Sequence, residues 1–94
     1  MIIVNAKFQV KPEKRDEFLS DIKKLITYTK AELGNLAYDL YQETEDENSF
    51  MMVENWEDES SAQAHSQSLP FLEFSEKVAS YSARKPELKV ARMN

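Results

Sequence analysis

The feature of this sequence that most constrains its fold is a change of apolar period at Pro12. Before it, Ile2, Val4, Ala6, Phe8 and Val10 alternate with Asn5, Lys7 and Gln9, the period-two pattern of a strand with one buried face. After it, Phe18, Ile22, Leu25, Ile26, Thr29 and Leu33 recur at steps of three and four, one apolar stripe along about five turns of helix. Pro12 cannot continue a sheet ladder but suits a first helical turn, where Glu13 and Asp16 complement the helix dipole. Gly34, the only glycine in the chain, is placed to end that helix in a left-handed cap.

The rest of the chain continues the alternation. Residues 36–43, rich in Tyr and Leu, form a second strand, and the acidic stretch 44–48 forms a hairpin turn. Residues 49–56 form a third strand with Phe50, Met52, Glu54 and Trp56 on one face and Met51, Val53 and Asn55 on the other. Asp58 caps a short helix reaching Gln67, Pro70 opens a second through Phe71, Phe74 and Val78, and a fourth strand follows Pro86. The order is βαββαβ with the second helix split, an α+β ferredoxin-like fold: a four-stranded antiparallel sheet with helices on one face. On the other face Ile3, Tyr41, Met51 and Val53 would form an apolar patch. A chain this small rarely tolerates one, and two sheets pairing face to face would cover it. No repeat or linker divides the chain, so residues 1–94 read as a single domain.

Charge narrows the choice of partners. With 12 basic and 17 acidic residues the net charge is -5, which repels phosphate backbones and makes nucleic acid an unlikely partner on electrostatic grounds. Cysteine is absent, so there is no disulfide framework, thiolate nucleophile or sulfur metal site, and a reducing cytoplasm fits. The start is apolar for only three residues after Met1 and has no basic flank, unlike a signal peptide or a membrane span. One glycine cannot build a phosphate loop, and a single histidine cannot supply a multi-histidine metal site.

Three residues carry candidate chemistry. His65, the only histidine, exchanges protons near neutral pH, although the polar run 60–68 around it favours a solvent-facing position. Glu54 shares a strand face with Phe50, Met52 and Trp56, where burial would raise its pKa and make it a base or an anchor for a hydroxyl. The plain alternative is an edge-strand carboxylate that reaches solvent. Trp56, the only tryptophan, either plugs the core at a strand end or walls an aromatic pocket with Tyr38, Phe71 and Phe74.

The runs Phe8-Gln9-Val10-Lys11-Pro12-Glu13-Lys14, Glu32-Leu33-Gly34-Asn35, Tyr38-Asp39-Leu40-Tyr41 and Val53-Glu54-Asn55-Trp56, with His65 and then Pro70-Phe71, resemble the antibiotic biosynthesis monooxygenase family over residues 2–93. The likeness is strongest to its small stand-alone quinol-oxidising members. It implies a homodimer closing two sheets into a dimeric α/β barrel through the open face, with a pocket in each subunit between sheet and helices and no cofactor. Glu54 and Trp56 match the family's Glu-x-Trp strand end, and His65 matches the histidine of quinol-oxidising relatives. Polyketide-tailoring relatives carry Asn at the position of Met52 and Tyr at that of Ala62, so their proton-handling scheme does not transfer. Heme-degrading relatives place their iron-binding histidine near Ser75, and a serine does not replace it.

The expectation is therefore a cofactor-independent monooxygenase that oxidises a small aromatic quinol with dioxygen. His65, Glu54 and Trp56 would be catalytic, and Tyr38, Met52, Phe71 and Phe74 would bind substrate. The other readings are a non-oxidative isomerase or lyase in the same pocket, or a non-catalytic binding module with His65 and Glu54 in solvent.

Overall fold

A computed structural model describes all 94 residues. The elements are β1 (Ile2–Gln9), a 3-10 turn (Pro12–Lys14), α1 (Arg15–Lys30), β2 (Asn35–Glu43), β3 (Asp46–Trp56), α2 (Glu59–Ser66), α3 (Leu69–Tyr81) and β4 (Glu87–Arg92). They build one antiparallel sheet in the order β2-β3-β1-β4, the α+β ferredoxin-like arrangement expected from the periodicity.

The period change at Pro12 is visible in the packing. Ile2, Ala6, Phe8 and Val10 are buried, as are Phe18, Ile22, Leu25 and Thr29 on α1, so the two stripes form opposite sides of one core. Phe18, fully buried, is the hub of that core, with ring centroids 5.4 Å from Phe8, 5.3 Å from Phe50, 6.1 Å from Phe74 and 5.7 Å from Tyr81. The register Phe8↔Phe50, Ala6↔Met52 and Val4↔Glu54 puts the inward residues of β1 and β3 side by side. The opposite register positions, Ile3↔Asn55, Asn5↔Val53 and Lys7↔Met51, lie on the face away from the helices.

Three boundaries differ from the sequence reading. The helix ends at Lys30 and the chain turns before Gly34, whose φ is +81°, so Leu33 falls outside the apolar stripe and is 91% exposed. Intrahelical bonding stops one turn early because Ala31 and Glu32 donate to Tyr28 and Thr29 in tighter turns. The acidic hairpin is also shorter, since Asp46, Glu47 and Asn48 already belong to β3. The Asp46 carboxylate accepts from the Asn48 backbone N–H at 2.9 Å and from Gln9 Nε2 at 3.1 Å. Val10 makes only an isolated bridge to Ser82 rather than extending β1.

The short helices begin as the capping residues indicate. The Asp58 carboxylate accepts from Ser61 N at 2.8 Å, and Ser68 Oγ accepts from Phe71 N at 3.4 Å with Pro70 in the first turn. No helix is long and apolar enough to cross a membrane.

Candidate active site

β3 is an interior strand, paired on one side with β1 and on the other with β2. Alternation sends Met52, Glu54 and Trp56 to the helix side. Glu54 is therefore not the edge-strand carboxylate of the plainer reading, and is buried at 7% exposure. Trp56 Nε1 donates to Glu54 Oε1 at 3.1 Å, so the indole both closes the strand end and supplies the carboxylate's hydrogen bond. Burial holds the Glu54 pKa above the ordinary carboxylate value; the Trp56 hydrogen bond and the nearby His65 partly oppose that rise.

His65 departs from the solvent-facing position suggested by its polar neighbours. It is 3% exposed, because one face of α2, marked by Ser61 and His65 a turn apart, lies against the end of the sheet. Its ring sits among three aromatic rings, at centroid distances of 4.8 Å to Trp56, 5.2 Å to Tyr38 and 4.9 Å to Phe71. Nδ1 lies 2.7 Å from Glu32 Oε1. Nε2 is buried and has no hydrogen-bond partner in the protein, an arrangement that costs about 1–3 kcal/mol. Glu54 thus bonds Trp56, while the imidazole is held by Glu32, a residue that sequence reasoning did not single out.

Tyr38, on β2 opposite Glu54, is 2% exposed. Burial first, then the Glu54 and Glu32 carboxylates, pushes its phenol far above the ordinary tyrosine range, so it stays protonated. A cavity of about 430 Å³ opens between the sheet and the helices. Its wall includes all seven residues named from the sequence: Tyr38, Met52, Glu54, Trp56, His65, Phe71 and Phe74. The volume suits a small-molecule ligand. Val4, Ile22, Ala62 and Val78 add to the apolar lining, Ser75 contributes a hydroxyl, and Leu88 and Val90 line it from β4. Leu88 and Val90 are 66% and 63% exposed, so the cavity is open on that side.

Ser75 stands in the wall where the resemblance placed an iron-binding histidine, and a hydroxyl is a poor axial ligand for heme. No three His, Asp or Glu side chains converge anywhere in the structure to hold a metal ion. Chemically the cavity offers one buried imidazole whose Nε2 has no protein partner, one buried carboxyl with a raised pKa and a lining of rings. That set suits proton transfer to or from a flat organic molecule.

The family model described as antibiotic biosynthesis monooxygenase matches residues 1–77. YcnE of Bacillus subtilis, a protein that carries a monooxygenase name, is 43% identical over 74 residues, spanning 79% of this chain and 78% of its own. A conserved protein of Methanosarcina mazei Go1, known from its crystal structure, superposes with a TM-score of 0.94 at 38% identity, over 99% of this chain and 92% of that one. A crystal structure of an antibiotic biosynthesis monooxygenase superposes with a TM-score of 0.92 at 24% identity, over 100% and 99% of the two chains, a likeness of fold.

Proposed function

The chain belongs to the antibiotic biosynthesis monooxygenase family, and we propose that it oxidises a small electron-rich quinol with dioxygen, without metal or flavin, in the cavity around His65. The observation that carries this reading is the unpartnered, buried Nε2 of His65 in a ring that forms part of the wall of an aromatic cavity.

Dioxygen reacts slowly with neutral organic molecules because its ground state is a triplet, but it accepts an electron from a phenolate. The protein then has two tasks: to take a phenolic proton and to hold the ring dry. His65 Nε2 takes the proton as the substrate hydroxyl comes against it. The Glu32 carboxylate at Nδ1 lies where it compensates the positive charge that appears on the imidazole. Glu54, whose pKa burial raises, orients a second substrate hydroxyl by hydrogen bonding, while Trp56 Nε1 holds its Oε1. Trp56, Tyr38, Phe71, Phe74 and Met52 pack against the ring and displace water from the faces they cover. In monooxygenation one oxygen atom enters the ring and the other leaves as water, and the quinol itself supplies all four electrons by leaving as a hydroxyquinone.

A homodimer through the open sheet face fits the same reading. Ile3, Met51 and Val53 are only half-buried there, Tyr41 is 58% exposed, and Asn5 Oδ1 has no hydrogen-bond partner. The solvent-facing His65 and Glu54 required by a non-catalytic binding module are not found, since both are buried in one cavity wall.

The deciding measurement is oxygen uptake with a panel of quinols, comparing native protein with His65→Ala. Loss of the base is expected to slow turnover by about 10²- to 10⁴-fold. Equal rates would remove His65 from the reaction. Product formation under strict anaerobiosis would point instead to an isomerase or lyase.

A further inference from the structure

Thirty-three residues separate Glu32 from His65, and two local features bring them together. Gly34 has a φ of +81°, in the left-handed region. A Cβ placed there would lie 2.0 Å from Ser61 Oγ and 2.5 Å from Ser61 Cβ, distances that non-bonded atoms do not tolerate. Helix α2 therefore rests on a bare Cα. The contact is pinned by the Glu57 backbone N–H, which donates to Gly34 O at 2.8 Å.

Ser61 and His65 are one turn apart on α2 and share a face, so seating Ser61 on Gly34 brings His65 over the turn that carries Glu32. That turn is itself tied, with Glu32 N donating to Thr29 O at 2.9 Å and Asn35 N to Glu32 O at 3.2 Å. The far end of α2 is held as well, since Ser68 N and Ser68 Oγ both donate to His65 O. The imidazole meets Glu32 Oε1 with side-chain exposures of only 4% and 16%. An ionised carboxylate can only accept, so Nδ1 carries the hydrogen and Nε2 is left with a lone pair.

We propose that Glu32 is the positioning residue of this site, holding His65 in the Nδ1–H tautomer with Nε2 as the proton acceptor, and that the bare Cα of Gly34 is what lets α2 deliver His65 to it. The catalytic consequence rests on the quinol reading above; the tautomer does not. In ordinary imidazole the Nε2–H form is favoured, so without Glu32 the nitrogen assigned to the substrate would more often carry a hydrogen and could not act as the base.

Because the chain has one histidine, the ¹⁵N spectrum of histidine-labelled protein reports this ring alone. Above the pH at which the ring loses its charge, native protein is expected in the Nδ1–H form. Glu32→Ala is expected to shift towards Nε2–H, whereas Glu32→Gln, whose carboxamide oxygen still accepts from Nδ1–H, retains the native form. Gly34→Ala, with both partners intact, is expected to shift as Glu32→Ala does, and adding Ser61→Gly to make room for the new methyl restores part of the native signal. Persistence of the Nδ1–H form in Glu32→Ala overturns the proposal, as does a Gly34→Ala spectrum identical to native.

Oxygen uptake on the same samples keeps the two readings apart. Glu32→Ala is expected to lose part of the about 10²- to 10⁴-fold that a placed base supplies. Quinol turnover undiminished in that variant sinks the positioning role and leaves the quinol reading standing. A native Nδ1–H signal, lost in Glu32→Ala, in a protein that consumes no oxygen with any quinol sinks the quinol reading and leaves the pairing standing.

Discussion

Trp56 Nε1 donates to Glu54 Oε1 at 3.1 Å across two residues of the same strand face. The sheet thus brings its own hydrogen-bond donor to a carboxyl that its alternation has buried. The pair also separates the two acids of the site, leaving Glu54 with the indole and Glu32 with the imidazole. Four expectations follow from this packing and from the faces on either side of the sheet.

Glu54→Gln should raise stability at alkaline pH and do so less in acid. The folded-state pKa of Glu54 lies above its ordinary value of 4.5 because burial disfavours the charged form. As pH rises from that ordinary value through the folded one, the unfolded chain gives up its proton first, so the native state loses stability over that window and then levels off. Glutamine carries no such charge, and its carboxamide oxygen still accepts from Trp56 Nε1. Urea midpoints for both proteins at pH 4 and pH 8 test this; a difference that does not grow with pH would count against a buried carboxyl.

Trp56→Phe should move the Glu54 titration still higher. The ring volume is largely kept, but the one hydrogen bond that lowers the Glu54 pKa is gone. A ¹³C titration of the Glu54 carboxyl reads the shift directly. A midpoint unchanged or lowered would mean that the indole does not hold the carboxylate.

Phe18→Ala should cost about 3–5 kcal/mol, a large share of the about 5–15 kcal/mol that holds a typical domain folded. The ring is fully buried between both central strands and α3. Phe18→Leu should cost less. Equilibrium urea unfolding gives the values, and a loss below about 1 kcal/mol would show that the core closes over the gap.

Val53→Asp should split a dimer without unfolding the subunit. Val53 lies on the face of the sheet away from the helices, paired with Asn5 and Asp39, so an aspartate there meets water in a single chain but would be desolvated between two sheets. Light scattering is expected to give the mass of two chains for native protein and of one for the variant, with the circular dichroism unchanged. A native protein of single-chain mass at micromolar concentration would remove the face-to-face pairing.

The periods of two and 3.6, with Pro12, Asp58 and Pro70 at their junctions, were enough to read the element order and the inward face of each strand, because these are local properties of backbone and side-chain geometry. They were also enough to place Met52, Glu54 and Trp56 together, since residues two apart on a strand share a face. The local pattern misled at Leu33, where the apolar step continued after intrahelical hydrogen bonding had ended.

His65 shows where local reading stops. Its neighbours in the chain are polar, yet the ring is buried, because the surroundings that decide its exposure come from β2, β3 and α3 rather than from α2 itself. Glu32 was visible only as part of a run, since nothing in the spacing of residues 32 and 65 announces a contact. Sequence alone determined the secondary structure and the apolar face of the sheet through short-range periodicity. The tertiary structure alone decided which carboxylate holds the imidazole, because that depends on a helix seated against a glycine far away in the chain.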